Sequence, residues 1–233
     1  MKRLLACSPL AVALAVASCD GTATAPPVRP SFDAGGGQGL NLRAGGFGEA
    51  SFAAWKSQQG LPDSKGNGNF ALYLQKLTAT ATNAAAFAVI TGLEGQKVSA
   101  LTSLAWDDHR TGGHCGAGAP RWDVFVKGLS NKPYTLFLGC AAAVQTPVLG
   151  APEWMTDSYS GAAIVTVGGG NAGLTADEQI DAAGGTITGL IIVFDEGTDQ
   201  GEGFVFLDNI TVQTTVGATV NSKTFTSPGD NGT

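Results

Sequence analysis

Short apolar runs of period two recur along most of this chain, separated by glycine, asparagine, aspartate and proline, and they constrain its fold more than any other feature. Strict alternation sends side chains to opposite faces of an extended backbone, which suits a strand with one face against a core. The runs are 50–55, 70–78, 86–92, 99–107, 121–127, 134–141, 161–167, 186–194 and 204–214. In 121–127, Trp122, Val124 and Val126 fall on one face, and Asp123 and Lys127 on the other. The runs 186–194 and 204–214 are apolar enough to be central strands whose second face is also partly covered. Apolar spacing of three and four is nearly absent; 179–183 fits a single helical turn.

About nine strands without crossover helices must pair antiparallel, and a chain of this length has to bury one face of each sheet. The expected fold class is therefore all-β, an antiparallel two-sheet sandwich of jelly-roll type. The 34 glycines, with many Thr, Val and Ala residues and few Glu or Lys, agree with strands joined by turns. One domain is expected over 45–216, followed at 217–233 by a polar C-terminal tail or an extra edge strand.

The first residues have a different character. Lys2 and Arg3 lead into an apolar stretch, 4–17, that ends at Val16-Ala17-Ser18-Cys19-Asp20. A basic start, a short apolar segment and small residues make a secretory signal peptide, too short to span a bilayer as a helix. Val16-Ala17-Ser18-Cys19 resembles the lipobox of bacterial lipoproteins, which implies a signal peptide over 1–18 and a diacylglycerol thioether on Cys19. Ordinary cleavage after Ala17 is the alternative. Cysteine parity favours lipidation: with Cys7 removed, plain secretion leaves three cysteines in an oxidising compartment, whereas lipidation of Cys19 leaves an even pair. The Thr-, Ala- and Pro-rich stretch 20–30 fits a flexible tether, taken as 19–44. The expected location is extracytoplasmic, in the bacterial cell envelope, with the membrane as a partner through the N-terminal lipid. Losing Lys2 and Arg3 with the leader moves the formal charge from −6 to −8. Such an acidic chain does not favour nucleic acid.

The remaining pair, Cys115 in the glycine-rich loop 111–119 and Cys140 at the end of the run 134–141, is expected to form a disulfide. Closing a loop of this length contributes roughly 3 kcal/mol on the chain-entropy model. Metal ligation is the alternative, but no Cys-x-x-Cys accompanies either residue.

His114-Cys115-Gly116-Ala117-Gly118-Ala119-Pro120-Arg121-Trp122, then Tyr134 with Leu138-Gly139-Cys140, Val193-Phe194-Asp195-Glu196-Gly197-Thr198-Asp199 and Leu207-Asp208-Asn209-Ile210 resemble a group of secreted bacterial proteins with no assigned activity. The last of these segments is also similar to the closing strand of galactose-binding-like and carbohydrate-binding jelly-roll modules. The resemblance implies architecture and export, with sugar binding as an analogy from fold.

Two acidic clusters bear on chemistry. Asp107-Asp108-His109 with His114 holds zinc-type or harder ligands, but without a known spacing, and a polar loop in which Arg110 and Arg121 pair with the aspartates is the plainer reading. Asp195, Glu196 and Asp199, with Asp208 nearby, form a candidate site for structural calcium, the alternative being a charged hairpin at a sheet end. Glu196, Asp199 and Glu202 are not spaced as the Glu-x-Asp-x-x-Glu of jelly-roll glucanases, and no Gly-x-Ser-x-Gly is present, so no catalytic residue is assigned. Among the aromatic residues, Trp106 and Trp122 read as core, while Trp154 and Tyr159, in the proline-bearing stretch 147–160, read as exposed ligand contacts.

The function expected from the sequence is a lipid-anchored, non-catalytic module that binds a glycan or another envelope component. The alternatives are a structural or adhesive envelope protein, and a polysaccharide hydrolase or lyase acting through Asp107, Asp195 or Glu196. Replacing Cys19→Ser is expected to abolish incorporation of labelled palmitate and to move the chain from the membrane to the soluble fraction; unchanged labelling would remove the anchor.

Overall fold

In the computed structural model, which describes residues 39–63, 66, 68–109, 119–166 and 174–231, the alternating runs become strands. In chain order these are β1 (Asn41–Phe47), β2 (Ser51–Lys56), β3 (Ala71–Lys76), β4 (Ala85–Thr91), β5 (Leu101–His109), β6 (Arg121–Lys127), β7 (Pro133–Gly139), β8 (Val144–Val148), β9 (Ala151–Ser160), β10 (Thr186–Phe194), β11 (Phe204–Val216) and β12 (Thr219–Phe225). Two antiparallel sheets result. One runs β1-β4-β10-β6-β7; the other runs β2-β3-β11-β5-β9-β8, with β12 paired to the second half of β11. The chain passes back and forth between the sheets along most of its length, in the manner of a jelly roll. The fold is the expected two-sheet β-sandwich.

Alternation decides which side chains meet between the sheets. Trp122, Val124 and Val126 of β6 point inward and are almost completely buried, as are Leu190, Ile192 and Phe194 of β10. From the opposite sheet come Leu72 and Leu74 of β3, with Leu104 and Trp106 of β5. Trp106 and Trp122, both expected in the core, stack across the interface with ring centroids 4.9 Å apart, and Tyr159 meets Trp106 edge-on at 6.1 Å. Lys76, at the end of β3, is buried because its ammonium donates to three backbone carbonyls, those of Thr80, Thr82 and Asp195.

β11 contains the irregularity that matters most. Leu207 and Ile210 are both buried in the core, although strict alternation over three residues would send them to opposite faces. The reset occurs at Asn209, whose φ of 47° lies in the left-handed region that asparagine tolerates, and the register against β5 shifts between Asp208 and Thr211. This bulge leaves Asp208 facing outward.

Several expectations need correction. The run 161–167 is helical over its described part: α1 (Gly161–Thr166) starts where the Ser160 hydroxyl accepts from the Ala163 N–H, and it packs Ile164 into the core. The β-branched sequence Ile164-Val165-Thr166 imitates a strand but caps one end of the sandwich. The turn at 179–183 extends to α2 (Ala176–Ala183), held by a capping box between Thr175 and Glu178. Pairing draws Asn41 onward into β1, within the stretch expected to be tether, and turns most of 147–160 into β9.

Trp122→Ala removes half of the indole stack from a site that cannot collapse, and is expected to cost about 3–5 kcal/mol in urea unfolding. Leu149→Ala, at a fully exposed position, is expected to be near neutral. Equal effects would contradict this placement of the core.

Candidate functional site: a cleft on the outer face of the seven-stranded sheet

The outward positions of the seven-stranded sheet are unusually aromatic. Register places Phe206 of β11 between Tyr73 of β3 and His109 of β5, and His109 opposite Trp154 of β9. Tyr73 lies 5.7 Å from Phe52, 5.6 Å from Phe204 and 5.0 Å from Phe206; His109 lies 6.3 Å from Phe206 and 5.2 Å from Trp154. Lys56, the last residue of β2, holds its ammonium 3.3 Å from the centre of the Tyr73 ring.

Where β2 ends, the connection to β3 folds back on itself. Gln58 donates to the Gly68 carbonyl (2.8 Å), and Gln59 and Gly60 both donate to that of Asn69 (3.1 and 2.8 Å). Gly60 is required at this closure, since a Cβ there would sit 2.1 Å from the Phe70 carbonyl oxygen and 2.7 Å from Asp208 Oδ2. Between this connection and the sheet lies an open cleft of about 510 Å³, lined by Trp55, Lys56, Ser57, Gln59, Phe70 and Phe206. Phe70 and Phe206 supply apolar surface, Trp55 borders the cleft while packing against the core, and hydroxyl, amide and ammonium groups supply hydrogen bonds.

The connection is fastened to the sheet from below. Leu61 packs with Ala71 and Trp154 in a small cluster that Phe206 joins. The Leu61 N–H donates to Asp208 Oδ2 at 2.8 Å, and the Asn209 N–H donates to Asp208 Oδ1 at 2.6 Å. Asp107, opposite Asp208 on β5, accepts from the Asn209 amide at 2.7 Å and from the Thr156 hydroxyl. Burial pushes the Asp208 carboxyl up to about 6; Asp107 and Asp63 add repulsion, while the Asn209 and Leu61 N–H donors oppose the rise.

The second acidic cluster lies elsewhere. Arg121, on the outer face of the five-stranded sheet, forms a two-pronged pair with Asp195 (2.6 and 2.8 Å) and donates through Nε to Asp123 at 2.8 Å. Burial raises the Asp123 carboxyl to about 6 even though Arg121 pulls it down. Glu196 accepts from the Ala119 N–H, and Asp199 from the Thr80 N–H and hydroxyl, which hold Asp199 below its ordinary value. Asp195, Glu196, Asp199 and Asp208 are each engaged by a different group. Among the described residues no three His, Cys, Asp or Glu side chains are placed to hold a metal ion. Asp107 and Asp208 lie opposite each other on β5 and β11 of the seven-stranded sheet, whereas Asp195 is paired with Arg121 of the five-stranded sheet. His109 belongs to the aromatic row, whereas His114 and Arg110 lie outside the described residues.

Trp154 and Tyr159 are not exposed as expected. Trp154 lies beneath Leu61 and is 5% exposed; Tyr159 is 1% exposed, in the core. Both belong to β9, where regular pairing replaces the irregular stretch expected from Pro147 and Pro152. Cys140 is buried at the end of β7, its Sγ 3.9 Å from the Ala119 carbonyl oxygen; Cys19 and Cys115 lie outside the described residues. Apart from Trp55, an aromatic that could stack on a sugar if exposed, sequence reading misses the cleft residues, although Phe204-Val205-Phe206 shows two outward rings and Lys56-Ser57-Gln58-Gln59-Gly60 is a polar turn directly after a strand.

No protein-family model and no curated protein sequence matches the chain. Solved structures similar to it include the crystal structure of a beta-1,2-glucanase from Parabacteroides distasonis, at 10% identity and a TM-score of 0.37, covering 76% of this chain and 23% of that one. This chain thus spans about a quarter of the glucanase's length. The family 11 carbohydrate-binding module of the cellulosomal cellulase Lic26A-Cel5E of Clostridium thermocellum aligns at 12% identity and a TM-score of 0.38, covering 76% of this chain and 89% of that one.

Because burial lifts the Asp208 pKa above its ordinary value of 3.8, the folded state holds the proton more tightly than the unfolded chain does. The resulting stabilisation is complete below about pH 4 and is lost as pH rises through about 6. The thermal midpoint, followed by circular dichroism, is expected to drop less across this window in Asp208→Asn than in the wild type. An equal drop would place the titration elsewhere.

Proposed function

We propose that this chain is a lipid-anchored, extracytoplasmic, non-catalytic module that binds a glycan in the cleft lined by the end of β2, by Ser57, Gln59 and Phe70 and by Phe206 of β11. The observation that carries this reading is the composition of the cleft. Phe70 and Phe206 offer apolar surface for the C–H faces of a sugar ring, Trp55 borders the cleft while packing against the core, and Ser57, Gln59 and Lys56 offer hydrogen bonds to the sugar hydroxyls. A volume of about 510 Å³ takes one or two sugar rings, and the open mouth leaves room for a chain to continue on either side.

The engagement of the carboxylates by other groups supports binding over hydrolysis, because glycoside cleavage needs two carboxyl groups facing one bond. Asp107 and Asp208 are occupied in fastening the connection, and Asp195 is paired with Arg121. Thioether lipidation at Cys19 would hold the module at the membrane by its tether, and a Cys115–Cys140 bridge would brace the loop before β6 against the end of β7.

Affinity electrophoresis of the chain through gels containing soluble polysaccharides tests the binding reading. At least one polysaccharide is expected to retard the wild type, and Phe70→Ala or Gln59→Ala is expected to weaken retardation by roughly tenfold in apparent Kd with unfolding behaviour preserved. Absence of retardation across neutral and acidic polysaccharides would favour the structural or adhesive alternative.

A further inference from the structure

Resting on the reading of the cleft as a glycan site, we infer that its ligand is an acidic polysaccharide whose carboxylate is received by Lys56. The chain carries 19 acidic against 13 basic side chains, yet among the described residues the charged side chain lining the cleft is a lysine, with no carboxylate beside it. In so acidic a protein this local reversal is a chemical preference built into one spot.

Two other buried or partly buried cations of the protein are used up. Lys76 spends its donors on three carbonyls, and Arg121 spends its fork on two aspartates. Lys56 differs: among the described residues it makes no hydrogen bond or ion pair, and its ammonium is held over the Tyr73 ring. A ring face positions a cation without consuming its hydrogen-bond donors, so the ammonium is oriented and still able to donate. The nearest carboxylates cannot substitute for a ligand. Asp208 is turned to the Leu61 and Asn209 N–H groups, and Asp107 to Asn209 and Thr156.

The neighbouring groups fit a uronic acid residue. Phe206 and Phe70 would pack against the apolar face of the ring, Gln59 and Ser57 would meet hydroxyls, and the carboxylate at the ring's edge would meet Lys56. An exposed ion pair is worth little in water, but an ammonium seated on the Tyr73 ring at the edge of the cleft is less screened, so a selectivity of about three- to tenfold is expected.

The test compares binding of the chain to polygalacturonate, alginate and hyaluronate with binding to the methyl-esterified form of each, which keeps the backbone and removes the charge. At least one acid form is expected to bind about three- to tenfold more tightly than its ester at ~20 mM salt, with the preference vanishing near ~500 mM. Lys56→Gln is expected to erase the preference without loss of folding, and Lys56→Arg to retain it. Equal binding of acid and ester forms, or a preference that survives Lys56→Gln, overturns the inference. Binding confined to neutral polysaccharides would leave the glycan reading standing and sink only the acidic ligand, whereas binding to neither class would sink both.

Discussion

The bulge at Asp208-Asn209 couples the interior of this protein to its surface. Without a reset of phase in β11, Leu207 and Ile210 would not both enter the core, and one sheet would lose an apolar contact in its most heavily paired strand. The same reset leaves Asp208 outward, where it takes the Leu61 N–H and so anchors the long connection that closes one side of the cleft. Asp107 completes the arrangement by gripping the Asn209 amide from the neighbouring strand. A burial requirement inside the sandwich thus fixes the position of a loop outside it. Two carboxylates facing each other over buried surface would be unfavourable alone; the hydrogen-bond donors around them make the arrangement tolerable.

The two outer faces divide their labour. On the five-stranded sheet Arg121 bonds both Asp123 and Asp195 near the strand ends, and the neighbouring outward residues are apolar. On the seven-stranded sheet the aromatic residues are lined up by strand register, with a cation on one ring and a polar turn at the edge. The first arrangement is self-satisfied. The second presents unfilled donors beside apolar faces, which is why the functional reading rests there.

Much of the architecture was legible because it depends on local alternation. Strands β6 and β10 coincide with their apolar runs, and Trp106 and Trp122 are where periodicity puts them. The failures have physical causes. Ile164-Val165-Thr166 has strand-forming chemistry, but the Ser160 cap and the need to close the end of the sandwich make it helical. Prolines at 147 and 152 suggested irregular chain, yet β8 is an edge strand, where a missing N–H costs least, and β9 tolerates Pro152 near its start. Trp154 and Tyr159 were placed at the surface on that mistaken irregularity. The cleft was invisible for a different reason: Trp55, Phe70 and Phe206 meet only through the β2-β3-β11 pairing, and no spacing within one segment encodes that.

The central claim is that the cleft beside β2, not the outer face of the five-stranded sheet, receives a sugar chain. Backbone amide chemical-shift mapping during titration with an oligogalacturonate tests it most directly. Shifts are expected to saturate together at Trp55, Lys56, Ser57, Gln59, Phe70 and Phe206. Shifts confined to Arg121, Asp123, Phe125 and Phe137 would contradict it.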